Sequence, residues 1–318
     1  MTSAAADTIG IPDTTGTGPT RRRRRSKLVL RNTLLGWSFI LPNFLGFAII
    51  TLIPVVTLFY VALTDYNIFG KGEFIGIGNF QKLVTDPLFV RSVVNTFYYA
   101  LLHVPLTIVV ALGLALLLNT KLRGIAFFRT AAFFPYITSI VAIALVWNLL
   151  FSPDYGPINE FLRFIGIQNP PGWLTSQEWA MPAIVIISTW RDMGYYMILF
   201  LAGLQTVPRE LYEAARVDGT NAWQRFWNVT LPGIRPTMFL VTVLLTIASF
   251  KIFDLIIVLS PGGTAAPNQA TVVLSQFIYQ KGFIESKFGY ASAAAVVLFA
   301  ICLGATVIQF LINKKRSA

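Results

Sequence analysis

The sequence has one cysteine, Cys302, and one histidine, His103, among 318 residues. A single thiol closes no disulfide within the chain, and this pair builds no cysteine- or histidine-based metal centre. Charge is also scarce: Asp, Glu, Lys and Arg make up 12% of the residues, about half the share found in soluble domains. No G-x-x-x-x-G-K-[S/T] run is present to cradle a phosphate, and no nucleophile stands beside a base at a readable spacing. The chain is read as having no catalytic machinery, no bound cofactor and no metal.

Apolar residues are abundant instead. They account for 55% of the sequence, with a mean hydropathy of +0.65. They gather into six segments, roughly 34–64, 93–118, 126–151, 180–204, 237–259 and 291–312. Runs of about 20 apolar residues are long enough to cross a bilayer. The fold class expected is all-α, a polytopic membrane protein with six transmembrane helices. Pro42, Pro54 and Pro105 fall inside segments, where neighbouring helices tolerate them as kinks.

The net charge of +11 invites a nucleic-acid reading, but its placement argues for a membrane. Basic residues cluster in the tail (Arg21 to Arg25, Lys27), in the 119–130 loop (Lys121, Arg123, Arg129), in a loop with four arginines between the fourth and fifth segments, and after the sixth (Lys314, Lys315, Arg316). The intervening loops, 65–92 and 151–179, hold Asp65, Glu73, Asp86, Asp154, Glu160 and Glu178. Positive-inside logic places both termini in the cytoplasm. Residues 1–30 read as a disordered, basic cytoplasmic tail and 31–318 as the membrane domain. The first apolar run is too long for a cleaved signal peptide. Trp147, Trp173 and Trp179 sit near segment ends, where indoles prefer the interface.

The polar island at 205–236, QTVPRELYEAARVDGTNAWQRFWNVTLPGIRP, organises the rest. Pro208 suits a helix start. Leu211, Ala214 and Ala215 then share one face, with Glu210, Glu213 and Arg216 elsewhere. Asp218-Gly219 ends that helix. Asn221 caps a second one, Gln224 completes a capping box, Trp223, Phe226 and Trp227 line one side, and Pro232 stops it. The island is too short for a core of its own, so its apolar faces must dock on something else. One alternative is a helix lying on the lipid surface.

Glu213-Ala214-Ala215, then Gly219, then Val229-Thr230-Leu231-Pro232 resembles the "EAA" loop of ABC-importer permeases, with Val229 where the family usually has Ile. Trp190-Arg191-Asp192-Met193-Gly194-Tyr195-Tyr196 and the stretch from Leu204 to Ala215 are similar to its carbohydrate branch, the maltose and glycerol-phosphate type. Phe74 to Phe80, Tyr155 to Asn159 and Gly289-Tyr290-Ala291 also match family signatures. The resemblance spans roughly residues 30 to 312. It implies a permease subunit of an ATP-driven importer in a bacterial plasma membrane, partnered by a second homologous permease, two ABC ATPase subunits that use ATP and Mg, and an extracytoplasmic solute-binding protein, with a carbohydrate as cargo. It also implies that Glu213, Ala214, Ala215, Asp218, Gly219, Leu231 and Pro232 couple the chain to the ATPase. The alternative is an ion-coupled secondary transporter acting alone.

For the substrate path, Lys251 and Asp254 fall three apart on one helical face, as a polar lining or as a structural ion pair. The family more often has a neutral polar residue at the position of Lys251. Asn95, Trp190, Asp192, Tyr195 and Tyr196 offer hydrogen bonds and ring faces to a sugar, or serve as interhelical glue. His103 reads as a helix–helix hydrogen-bonder. Residues 260–290 read as an external excursion.

Overall fold

The computed structural model describes residues 27–68, 70, 72–120, 123–259 and 269–317; Arg21 to Arg25 and Lys121 lie outside them. The described residues are mostly helical. They contain only two isolated β-bridges, Thr64 with Phe74 and Asn67 with Gly70.

The helices, in chain order, are α1 (Lys27–Phe47), α2 (Ile53–Ala62), α3 (Gly78–Thr85), α4 (Pro87–Leu118), α5 (Ile125–Ile137), α6 (Ile140–Leu150), α7 (Pro157–Phe164), α8 (Ala180–Thr206), α9 (Arg209–Val217), α10 (Ala222–Arg225), α11 (Leu231–Gly233), α12 (Arg235–Phe250), α13 (Asp254–Leu259), α14 (Leu274–Tyr279) and α15 (Phe288–Ser317). Single π-helical turns join α1 to α2 (Ala48–Leu52), join α10 to α11 (Phe226–Thr230) and follow α14 (Gln280–Ile284). Lys27 to Leu30, expected in the tail, already belong to α1.

Four helices are long and apolar enough to cross a membrane: Leu35–Ala62, Pro87–Leu118, Ala180–Thr206 and Phe288–Lys315. The number is six if two bent pairs are each one span, Ile125–Ile137 with Ile140–Leu150 and Ala222–Gly233 with Arg235–Phe250. The third apolar segment, expected at 126–151, is thus two helices meeting at 97° around Thr138 and Ser139. The expected fifth segment ends early: α12 stops at Phe250 and a separate helix begins at Asp254.

The π turns have a common cause in two cases. Pro54 and Pro232 each lie two residues beyond one. A proline inside a helix lacks the N–H for its turn and collides with the carbonyl four residues back. Widening the preceding turn relieves that collision. This also corrects the reading of Pro232, which does not stop its helix; the chain bends two residues later, at Ile234.

Internal contacts divide the chain into Met1–Val56 and Thr57–Ala318. In the first unit, no side chain from Leu35 to Val56 is buried. In the second, α4 runs through three apolar clusters. Phe89 joins Leu83, Phe277 and Ala294; Tyr99 joins Ile184, Ile187 and Ile256; Ala111 and Ala115 join Phe200, Leu204 and Leu245. Helix α8 packs along α4 and is crossed by α5. Lipid is as apolar as leucine, so helices here associate through close packing at small residues. Gly194 illustrates this: a Cβ there would collide with the Ala132 carbonyl of α5. Arg129 on α5 closes the end of α4 by donating to the Leu118 carbonyl at 2.7 Å.

Candidate functional site

The polar island folds as a hairpin whose local geometry follows from its sequence. Helix α9 closes in a Schellman turn: Gly219 N–H donates to the Arg216 carbonyl and Thr220 N–H to the Ala215 carbonyl, both at 3.1 Å. That motif needs a left-handed residue after the cap, and Gly219 takes φ +73°. The Asn221 side chain accepts from Gln224 N–H at 2.8 Å while the Gln224 side chain accepts from Asn221 N–H at 2.8 Å, completing the capping box. Arg225 ties the two halves together by donating to the Thr220 carbonyl at 2.6 Å.

The inward face differs from the one expected. Ala215 is buried, and Tyr212 beside it reaches Thr230 with its hydroxyl at 3.1 Å. Leu211 and Ala214 point out. Tyr212, Phe226 and Val229 pack on the same core cluster as Ile234 and Leu245. The outer surface carries Glu213, Ala214, Asp218 and Gly219, all exposed, together with Leu211, Val217, Trp223 and Trp227. Leu231 and Pro232 are half-buried at the base.

A second polar group sits where α4, α8 and α12 meet. Asp192 is buried; Arg191 holds it with two bonds, Nε to Oδ1 at 2.7 Å and an Nη to Oδ2 at 3.2 Å. His103 Nε2 lies 3.5 Å from Asp192 Oδ2, its Nδ1 lies 3.0 Å from Ser249 Oγ, and its ring stacks on Tyr99. Thr107 and Thr189 add a hydroxyl–hydroxyl bond of 3.2 Å. His103 is therefore the interhelical hydrogen-bonder the sequence suggested. Ser249 and Thr107 were not foreseen, because no spacing rule links three separate apolar segments.

The residues expected along a substrate path do not form one constellation. Asn95 spends its amide on the Val272 carbonyl at 2.9 Å and the Gln269 carbonyl at 3.3 Å. Tyr196 is buried in the core. Tyr195 stacks on Tyr136 at 4.6 Å, and Trp190 meets Trp147 edge to face at 5.5 Å. Lys251 and Asp254 do not share a helical face, since Lys251 caps α12 and Asp254 opens α13. Both are exposed, and no ion pair joins them among the described residues. A separate open cavity of about 500 Å³ is lined by Asp65, Lys82, Asp86, Lys281, Lys287 and Tyr290 among others, and by none of these path residues.

Membrane-length apolar helices, a buried polar junction between helices and a polar hairpin that follows one of the long ones define a helical integral membrane protein. The chain belongs to the binding-protein-dependent transport system inner membrane component family, whose description matches residues 87–318. It is 35% identical to the lactose transport system permease protein LacF of Rhizobium radiobacter, across 92% of this chain and 98% of that protein. It is also 35% identical to the probable ABC transporter permease protein YesP of Bacillus subtilis, across 90% and 93%. A bacterial alginate ABC transporter, solved in complex with a periplasmic protein bound to an alginate pentasaccharide, superposes with a TM-score of 0.79 at 26% identity, covering 92% of this chain and 98% of that one.

Proposed function

We propose that this chain is the permease subunit of an ATP-driven importer that carries a sugar or a related polyol or glycerol-phosphate compound. The observation that carries the reading is the hairpin. Its first helix is largely exposed, closed by Gly219, and joined through the capping box to a base packed on the same core as α12. A membrane subunit with no nucleotide site must receive the energy of ATP through contact, and a short rigid helix suits a groove on a partner.

In this reading the termini and the hairpin face the cytoplasm and the six apolar segments are six spans. A second homologous permease completes the path, two ATPase subunits use ATP and Mg, and an extracytoplasmic binding protein delivers the cargo. Glu213 and Asp218 present charge to the ATPase, Ala214 allows close approach, and Ala215, Gly219, Leu231 and Pro232 keep the helix on its base. ATP binding draws the two hairpins together and tilts the spans from inward- to outward-facing; hydrolysis resets them. The ATPases supply the free-energy difference between those states, without which nothing accumulates. Lys251, Asp254, Trp190 and Tyr195 are the side chains we assign to the path, at the break after α12 and on α8.

The test is purification of the intact complex in mild detergent, identification of its subunits, and sugar binding by the co-purified binding protein. ATP-dependent uptake in vesicles is expected. Uptake driven by an ion gradient without ATP would establish the secondary-transporter alternative instead.

A further inference from the structure

The hairpin has two chemically different halves, and a coupling role uses only one of them. Residues 209–218 hold three carboxylates, Glu210, Glu213 and Asp218, against Arg209 and Arg216. Residues 221–236 hold no carboxylate, two arginines (Arg225 and Arg235) and a pair of tryptophans. Trp223 and Trp227 stand four residues apart, and their rings meet at 5.6 Å. Trp223 is 69% exposed and Trp227 48% exposed. Phe226, which touches both, is turned towards the core. The indoles therefore form an apolar plate on the side of the helix away from the protein.

The orientation of that helix narrows what can cover the plate. The segment Ala222–Gly233 meets Arg235–Phe250 at 71°. If α12 crosses along the bilayer normal, the preceding helix lies within about 20° of the membrane plane, immediately at the end of a span. Tryptophan prefers that depth, with its ring in the apolar boundary and its N–H towards water. Arginines at the same level are drawn to anionic headgroups.

We propose that Trp223 and Trp227, with Arg235 at the start of α12, seat the second half of the hairpin in the headgroup region of the membrane, and that anionic phospholipid is the occupant of this face. The first helix, with Glu210 and Glu213 exposed, remains free to meet a protein partner. The membrane then acts as the bearing on which the hairpin turns: the end of the π turn and Gly233-Ile234 lie between Trp227 and α12. The proposal rests on reading the hairpin as membrane-proximal, but not on the identity of the cargo.

The experiment uses the complete transporter in phosphatidylethanolamine–phosphatidylglycerol nanodiscs, with a photoreactive benzophenone amino acid in place of Trp223 or, separately, Glu213. Mass spectrometry is expected to find phosphatidylglycerol on the peptide carrying position 223 and an ATPase peptide on position 213. An ATPase adduct at 223, or no lipid adduct there, overturns the proposal. Absence of an ATPase adduct at 213 beside a lipid adduct at 223 instead counts against the coupling reading alone. A second measurement uses the conservative Trp223→Phe and Trp227→Phe pair, which keeps the ring bulk. Two of the seven tryptophans are then gone, and emission quenched by headgroup-proximal spin-labelled lipid is expected to fall. Unchanged quenching overturns the proposal.

Discussion

His103 on α4 and Ser249 on α12 share a hydrogen bond of 3.0 Å, one residue before α12 ends. The Ser249 hydroxyl donates to the Leu245 carbonyl at 2.7 Å, so its oxygen accepts from the imidazole Nδ1–H. Nε2 of that ring lies 3.5 Å from Asp192 Oδ2 on α8 and makes no hydrogen bond there. The His103–Ser249 bond ties α4 to α12. Replacing the imidazole with leucine removes that bond and leaves Arg191 as the partner of Asp192. Buried interhelical hydrogen bonds in membranes contribute about 0.6–1.7 kcal/mol. His103→Leu is therefore expected to lower the thermal midpoint of the detergent-solubilised complex, and His103→Asn to restore part of it. Equal midpoints for the leucine variant and the parent would show that the junction holds nothing.

At Gly219 side-chain space and backbone cost separate. Nothing lies within 4 Å of a Cβ built there, yet its φ is +73°. A Cβ thus meets no clash, and a substituted residue bears the left-handed backbone penalty, about 1–2 kcal/mol. Gly219→Val is expected to loosen the Schellman turn, leave membrane insertion intact, and separate ATP hydrolysis from uptake in proteoliposomes. Asparagine, which tolerates this conformation, is expected to retain most coupling. Coupled uptake by the valine variant equal to that of the parent would remove the hairpin's geometry from the mechanism.

What could be read from the sequence was local. The capping box is a three-residue relationship, and Asn221 and Gln224 form it. Gly219 announces a turn, and the turn is there. What could not be read depends on distant partners. Helix α9 turns Tyr212 inward rather than Leu211 because Thr230, 18 residues later, stands beneath it. The face shared by Lys251 and Asp254 vanishes because α12 ends at Phe250, a boundary that the apolar run does not mark. Asn95, placed on the path for its polarity, instead bonds to a backbone carbonyl 177 residues away.

Acid should loosen the turn after α14 only below the range in which ordinary carboxylates titrate. Glu285 accepts from Lys281 at 2.7 Å and from Lys287 at 2.8 Å. Partial burial alone would raise its carboxyl, but the two ammonium groups hold it below the ordinary carboxylate range. A depressed pKa means that the stabilisation is present above the unfolded-state value, about 4.3, and is lost as pH falls through the lower folded value. Hydrogen exchange across 280–287 is expected to quicken as pH is brought down through that window, after correction for the intrinsic pH dependence. Glu285→Gln should exchange faster already at neutral pH and lose the acid step. Because Lys287 is exposed and Glu285 and Lys281 are only partly buried, solvent screening keeps the effect small.

Lys251 is the most informative position for the cargo. It caps α12, stands exposed at the break before α13, and lies between apolar runs. A lysine at that depth is costly unless it faces water or a polar path. Should its ammonium donate to a cargo oxygen, the bond belongs to the charge-assisted class, about 1.5–3 kcal/mol, or roughly ten- to hundredfold in apparent affinity. Lys251→Gln keeps a donor of similar reach without the charge. It is expected to raise the KM of uptake for the native cargo, shift the preference among anionic and neutral sugars, and leave assembly with the other subunits unchanged. Uptake with unaltered KM and an unaltered order of preference would place Lys251 outside the path, and the polar lining would then have to be sought on α8, at Trp190 and Tyr195.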